Sequence, residues 1–99
     1  MDYHRILSEA FQAPAAYSDR PNGCCRIYVC IAEKAHRRGI KAAAKKLGRT
    51  YQTEAAYGFR HVLYVGYDNN TGAEWGKGKA LAAALSAAGV PAFVEMAGD

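Results

Sequence analysis

Apolar side chains at alternate positions predict two β-strands in the middle of a sheet. The first covers residues 26–32, and the alternating aliphatic residues that we expect to face the core are Ile27, Val29 and Ile31. Tyr28 and Cys30 point to the opposite face in this interpretation. The second strand covers residues 60–67, a run of Val, Leu and Tyr whose apolar character favours a central position over an edge.

A helical period of apolar residues marks two further segments. Residues 2–12 predict an amphipathic N-terminal helix with Asp2 as its cap. A second helix begins between Glu33 and Gly39 and ends at Gly48, where a C-cap glycine belongs. The buried stripe of this second helix consists of Ile40, Ala43, Ala44 and Leu47.

A third helix follows Thr71. The pair Thr71 and Glu74 has the spacing of a capping box, in which the hydroxyl accepts from the amide of residue 74 and the carboxylate reaches back. This helix ends at Gly89, and its buried stripe consists of Leu81, Ala84, Leu85 and Ala88. Weaker patterns predict a short edge strand in residues 49–55 and a final strand in residues 90–96.

The elements after the first helix occur in the order β-α-β-β-α-β, which is the split-βαβ, ferredoxin-like pattern. We therefore predict an α+β fold with a four-stranded antiparallel sheet, both main helices on one face, and an additional N-terminal helix. Residues 1–23 form that helix and a linker, and residues 24–99 form a single domain. The other face of the sheet is open in this prediction, or covered by the N-terminal helix or by another copy of the chain.

The positive charge of the chain is concentrated in one segment. The 99 residues carry a net charge of +4, but seven of the thirteen Lys and Arg residues and one of the nine acidic residues lie between Glu33 and Arg49. This segment has a local balance of +6, and the rest of the chain has a balance of −2. Its basic residues are Lys34, Arg37, Arg38, Lys41, Lys45, Lys46 and Arg49. The segment indicates an anionic partner, and the alternative is a solvated helix face.

The start of the third helix is a second candidate for anion binding. Lys77 and Lys79 follow a strand-to-helix turn, where free helix amides attract anions. The glycine spacing, and the absence of Ser or Thr after Lys77, do not fit a nucleotide-binding phosphate loop. The alternative is that Gly76 and Gly78 only allow the helix to approach the sheet closely.

Several function classes find no support in the composition. No run approaches the roughly 18 apolar residues of a membrane span, and no basic segment leads into a secretory apolar region. We therefore expect a cytoplasmic protein without membrane contact. The three cysteines, two of them adjacent, form no disulfide framework, and together with His36 they match no zinc spacing. We expect no metal and no cofactor, and no enzymatic activity, because no nucleophile is accompanied by a base and an orienting acid.

Parts of the two central strands resemble the paired signatures of the RNA recognition motif family. Residues 27–29 resemble the first half of its hexamer, and its octamer is matched at four positions, by Gly58, Phe59, Val62 and Tyr64. The resemblance implies that Tyr28, Phe59 and His61 stack on unpaired bases. The basic first residue and the small fourth residue of the family's octamer are replaced in this chain.

Two registers are open for the second central strand. Simple alternation buries Leu63 and Val65 and exposes Val62 and Tyr64, whereas the register of the RNA recognition motif buries the latter pair. The two are exclusive, since a slip of one residue exchanges the faces of a strand.

Residues 63–69 and the final Gly-Asp pair also look like small uncharacterised proteins encoded in prophages. This likeness covers roughly the last sixty residues. It implies a phage-associated bacterial setting and no particular chemistry.

Our leading hypothesis is a small non-enzymatic module that binds RNA or DNA. The seven basic residues of the segment contact phosphates, and Tyr28, His61 or Tyr64 contact bases. The competing hypothesis is a protein-interaction module, either a homodimer through the open sheet face or a phage-encoded inhibitor of a host complex.

Overall fold

The structure, a computed structural model, describes three stretches of the chain: residues 1–15, 25–69 and 71–98. Helix α1, Tyr3–Phe11, begins at Asp2, whose carboxylate accepts a hydrogen bond from the Arg5 amide at 3.1 Å. The predicted N-terminal helix and its cap are therefore confirmed. Most of the predicted linker lies outside the described residues.

Four strands form one antiparallel sheet. They are β1 Cys25–Ile31, β2 Tyr51–Glu54, β3 Arg60–Asp68 and β4 Ala92–Gly98. Their order across the sheet is β2-β3-β1-β4. As predicted, the two most apolar strands, β1 and β3, are neighbours in the centre, and the short β2 lies at an edge. A 3₁₀ turn, Ala56–Gly58, connects β2 to β3.

Helices α2, Lys34–Lys46, and α3, Ala73–Ala87, complete an α+β fold. Helix α2 connects β1 to β2, which run parallel to each other, and α3 connects β3 to β4, which also run parallel. In the sheet, β3 lies between β1 and β2, and β1 lies between β3 and β4. Both helices end at left-handed glycines, Gly48 with φ +70° and Gly89 with φ +94°, which confirms the two predicted C-terminal stops.

All three helices pack on the same face of the sheet. The core between them and the sheet includes fully buried residues from every layer: Leu7, Val29, Ile31, Ile40, Leu63 and Leu85. Helix α1 packs against α2 and α3 and so belongs to the helical layer. Within the described residues, no helix therefore covers the opposite face of the sheet, which we call the open face.

The strands follow simple alternation. Leu63 pairs with Val29 and enters the helical core, whereas Tyr64 pairs with Tyr28 on the open face. The expectation that Val62 is exposed is wrong, because a cluster of aromatic side chains covers it completely. A bulge opposite the Ile27/Tyr28 junction then changes the register near the end of β3.

The predicted capping box of α3 is wrong. The N-cap residue is Gly72, which has a φ of +80° and no side chain that could accept a hydrogen bond. The cap comes instead from Asp68, the last residue of β3, whose buried carboxylate accepts from the amides of Thr71, Gly72 and Trp75. Glu74 forms a salt bridge with Lys77 and does not reach back to the cap.

The start of α3 lies very close to the sheet. A Cβ atom on Gly78 would stand 2.8 Å from Val94 Cγ2 and 2.9 Å from Ile27 Cγ2, closer than packed carbon atoms allow. This confirms the close-approach interpretation for Gly78. Gly76 is also buried.

Within the described ranges, no helix combines the length and the apolar character needed to cross a membrane.

Candidate nucleic-acid interface

The basic segment forms one face of helix α2. At about 100° per residue, four of its cations fall within about 60° of one another around the helix axis: Lys34, Arg38, Lys41 and Lys45. Ile40 and Ala43, on the far side, are buried in the core. The amphipathic pattern that folds the helix therefore also gathers these cations into one stripe.

The stripe borders a groove of about 660 Å³ between α2 and the edge strand β2. The cations that line this groove are Arg38, Lys41, Lys45 and Arg49. Tyr51 contributes an aromatic ring from β2. We call this surface the basic groove.

Arg49 reaches the basic groove because the chain reverses at the end of α2. After the left-handed Gly48, the amide of Arg49 donates to the carbonyl of Ala44 at 2.8 Å. The Arg49 guanidinium carbon then lies 4.1 Å from the ring centroid of Phe11, a cation–π contact with α1. The backbone bond fixes the point where the side chain leaves the main chain, and the cation–π contact holds its charged end beside α1.

A smaller hollow of about 260 Å³ adjoins the basic groove and shares three lining residues with it. The hollow is lined by Arg37, Arg38, Lys41, Tyr51, Thr53 and His61. Every one of these side chains carries a polar hydrogen, and none is acidic. We call this surface the end hollow.

Arg37 is held at the end hollow by the end of β1. Its Nε donates to the carbonyl of Ile31 at 3.0 Å, and its Nη2 donates to the carbonyl of Ala32 at 3.3 Å. A guanidinium has five N–H donors, so the anchored side chain keeps others for a ligand.

His61 enters the end hollow from β3 with a left-handed backbone, at φ +56°. Its Nδ1 lies 3.3 Å from the hydroxyl oxygen of Tyr51. Partial burial, followed by the positive charges of Arg37, Arg60 and Lys41, lowers the pKa of His61 below its ordinary value. Burial raises the pKa of Tyr51, so the phenol keeps its proton and can donate to the imidazole.

The cations of the basic groove have no acidic partners in the described part of the chain. The salt bridges there are Glu33 with His36, Glu54 with Arg60, and Glu74 with Lys77. Glu54 lies next to Thr53 on the edge strand, but alternation directs its carboxylate to the open face. The groove therefore keeps an uncompensated positive charge.

The other predicted basic residues lie elsewhere. Lys34 is exposed in the first turn of α2, one turn beyond the groove. Lys46 lies off the stripe and faces a separate hollow beside His4. Lys77 is neutralised by Glu74 at 3.0 Å, and Lys79 is half-buried on the same helix. Of the seven predicted phosphate contacts, the groove and the end hollow together gather Arg37, Arg38, Lys41, Lys45 and Arg49.

The predicted base contacts divide between the two faces of the sheet. Tyr28 and Tyr64 lie on the open face, with ring centroids 5.6 Å apart, and Phe59 lies 6.1 Å from Tyr28. Tyr28 is only 2% exposed. His61 lies on the helical face, beside the basic groove. A strand bound in the groove therefore meets His61 and Tyr51 rather than Tyr28 and Tyr64.

Besides Ala42 and Thr50, the lining residues that the sequence reasoning did not select are Tyr51 and Thr53 of β2. Both lie on the loosely alternating segment that was assigned to an edge strand. In a β-α-β-β-α-β order, the helix-facing side chains of that strand lie beside the preceding helix, which is basic here. This combination was the signal that could have identified them.

The candidate metal ligands do not converge. His36 Nδ1 is hydrogen-bonded to the hydroxyl of Tyr3 at 2.8 Å, whereas the Cys30 thiol donates to the carbonyl of Arg60 on the open face. Burial raises the pKa of Cys30, which favours the thiol over the reactive thiolate. Among the described residues, no group of three His, Cys, Asp or Glu side chains could hold a metal ion. Cys24 lies outside the described residues.

Comparison of the chain with protein-family models, with curated proteins and with solved structures gives no match.

Proposed function

We propose that this protein is a small non-enzymatic module that binds single-stranded nucleic acid along the basic groove. The observation that carries the proposal is the convergence of four cations on one groove: Arg38, Lys41, Lys45 and Arg49. None of them forms a salt bridge within the described residues. Uncompensated Lys and Arg side chains in a row are the usual means of contacting a phosphate backbone.

The length of the cationic stripe favours a polymer over a small anion. From Arg38 to Lys45 the helix rises about 10 Å, at 1.5 Å per residue, and Arg49 extends the row further. A single phosphate group contacts only part of such a row. Successive phosphates of one strand can occupy all of it.

The aromatic ring beside the cations favours a single strand. Proteins that bind single-stranded nucleic acid combine a basic groove with aromatic side chains on which bases stack. Tyr51 has this position at the edge of the sheet. Bases in a duplex are already stacked on one another and cannot use it.

We also propose that the domain is ferredoxin-like. The order of elements supports this assignment, as do the central β1–β3 pair and the three helices on one face. In this proposal the nucleic acid lies beside α2 at the sheet edge, not on the sheet face implied by the resemblance to the RNA recognition motif.

Two adjacent lysines of α2 provide a matched test. Lys45 lines the basic groove, whereas Lys46 faces a different hollow. We expect Lys45→Ala to weaken binding of a fluorescent single-stranded RNA in anisotropy titrations and to reduce the slope of log K against log salt by about 0.7. Lys46→Ala removes the same charge from the same helix and should leave that slope unchanged.

Two outcomes would count against the proposal. One is the absence of binding to mixed-sequence oligonucleotides at about 50 mM salt, where phosphate contacts are strong. The other is an equal loss for the two lysine variants, since net charge rather than the groove would then determine the affinity.

A second candidate function is self-association through the open face. It is favoured by Phe93, which is 46% exposed on a face that no helix of the described chain covers. In light scattering coupled to size exclusion, a dimer of this kind should be insensitive to salt and should dissociate in the Phe93→Ser variant. A monomer at high protein concentration would exclude it.

A further inference from the structure

The end hollow differs chemically from the rest of the basic groove. Three cationic residues, Arg37, Arg38 and Lys41, line it together with three further residues whose side chains carry hydrogen-bond donors. The remainder of the groove is lined by two cations, Lys45 and Arg49, and by Ala42 and Thr50. The density of donors is therefore highest at one end.

We propose that the end hollow binds the terminal phosphate monoester of a nucleic-acid strand, whose following phosphates lie along the basic groove towards Arg49. This proposal rests on the proposed function and assigns a polarity to the same site. A terminal monoester carries about −1.5 to −2 charges at neutral pH and three strong acceptor oxygens, whereas an internal phosphate carries a single charge. The end hollow has the additional hydrogen-bond donors and positive charge that favour a terminal phosphate over an internal one.

The arginines suit a terminal phosphate because their geometry is rigid. A planar guanidinium can donate two parallel hydrogen bonds to phosphate oxygens. Arg37 is anchored through two backbone carbonyls at the end of β1, so its orientation is set before a ligand arrives. Pre-organisation of this kind reduces the entropy lost on binding.

His61 adds a donor that responds to the charge of the ligand. When the Tyr51 hydroxyl donates to Nδ1, the ring proton is on Nε2, and the neutral imidazole can donate from there. The positive charges that act on the ring are those of Arg37 and Lys41 from α2 and of Arg60, the preceding residue of its own strand, and Arg38 lines the same hollow. A bound dianion offsets their repulsion, so phosphate binding and protonation of His61 favour each other.

The test compares one single-stranded RNA sequence with a 5′-phosphate, with a 3′-phosphate and with hydroxyl groups at both ends. Anisotropy titrations should show about tenfold tighter binding of one phosphorylated form, the effect of an additional charge-assisted hydrogen bond. The preference should fall to twofold or less in Tyr51→Phe and in His61→Asn. Asparagine is chosen because it tolerates the positive φ of His61. The control is His4→Asn on the exposed side of α1.

Each outcome separates this proposal from the function on which it rests. If all three strands bind equally and Lys45→Ala still weakens them, the terminal site is overturned and the function remains. A phosphate preference that survives both Tyr51→Phe and His61→Asn also overturns the terminal site.

Inorganic phosphate and a nucleoside monophosphate serve as ligands without a strand. NMR titration of the His61 ring should show its pKa rising with either of them, and rising further with the phosphorylated strand. If the small ligands raise this pKa and no strand binds, the proposed function fails, and so does the assignment of the hollow to a strand end. If no ligand changes the pKa of His61, the hollow is not a phosphate site.

Discussion

The carboxylate of Asp68 holds the start of α3 to the end of the central strand β3, and its replacement should be the most costly polar substitution in this fold. The side chain is fully buried. Its Oδ1 accepts from the amides of Thr71 and Gly72, both at 2.9 Å, and its Oδ2 accepts from the amide of Trp75 at 3.1 Å. These donors belong to the first turn of the helix and the loop before it, where the other side-chain acceptor in the described structure is the exposed Thr71 hydroxyl, at 3.2 Å from the Ala73 amide.

The expected cost follows from what Asp68→Asn changes. The amide preserves the volume and can keep Oδ1, but its NH₂ group replaces Oδ2 and opposes the N–H of Trp75. One hydrogen bond is lost, and the three to Oδ1, one of them a long bond from the Thr71 hydroxyl at 3.4 Å, change from a charged to a neutral acceptor. A hydrogen bond to a charged group contributes about 1.5–3 kcal/mol and one to a neutral group about 1 kcal/mol. We therefore expect a loss of about 3 kcal/mol out of the roughly 5–15 kcal/mol typical of a domain.

The assay is urea unfolding followed by fluorescence and by circular dichroism. Trp75 is the one tryptophan of the chain and lies in the affected turn, so its emission reports on that turn directly. Circular dichroism reports the whole fold. Agreement between the two signals shows that unfolding is cooperative and that the free energies are comparable.

Asp2→Asn is the matched control. Asp2 also caps a helix, but it is exposed and its carboxylate accepts a single bond, from Arg5 at 3.1 Å. Asparagine is a good N-cap, so this change should cost less than about 0.5 kcal/mol. Equal losses in the two variants would refute the argument that Asp68 stabilises the fold through its buried, multiple bonds.

Three further predictions follow from the packing and the charges. The affinity for single-stranded RNA should fall with salt with a log–log slope of about −3, since four groove cations release about 0.7 counterions each; a slope near zero in anisotropy titrations would exclude phosphate contacts. Gly78→Ala should destabilise the fold by about 1–2 kcal/mol in urea unfolding, because the cost of overpacking against Val94 and Ile27 exceeds the gain in helix propensity. Gly98→Ala, which has open space around it, should be neutral in the same experiment. Because the pKa of His61 is lowered in the folded state, the unfolded chain binds more protons than the folded chain below about pH 6.5. The free energy of unfolding in phosphate-free buffer should therefore fall as the pH decreases from 7 towards 5.5, and it should fall less steeply in His61→Asn than in the parent. Parallel profiles for the two proteins would contradict the lowered pKa.

The elements could be predicted from the sequence because their patterns are local. Alternation in β1 and the helical stripe of α2 each need only a few neighbouring residues to be recognised, and both were confirmed. The start of α3 was predicted wrongly for the same reason. Thr71 and Glu74 have the local spacing of a capping box, but the structure uses Asp68, which stands three residues before Thr71 at the end of another element. A buried carboxylate with several amide donors is a stronger cap than an exposed hydroxyl, and the sequence pattern carries no information on burial.

The candidate site was predicted in part, for a related reason. Seven clustered basic residues are visible in the sequence, and five of them converge. The sequence did not show which predicted base contacts lie on which face of the sheet, because this depends on the register of β3. His61 and Tyr64 differ by an odd number of positions, so alternation places them on opposite faces. The hypothesis that one strand contacts the basic residues of α2 and also both His61 and Tyr64 required these two side chains to lie on the same face of the sheet.

Nucleic-acid binding and self-association are compatible, because the surfaces proposed for them lie on different faces of the sheet. The basic groove lies on the helical side of the β2 edge, and Phe93 lies on the open face at the β4 edge, the far side of the sheet. A dimer formed through the open face would therefore leave the groove of each protomer accessible. Two accessible grooves joined in one particle raise the effective concentration of the second site for any strand long enough to reach both. The dependence of affinity on strand length then becomes informative: a dimer should bind long strands much more tightly than short ones, and a monomer should bind them in proportion to the number of sites.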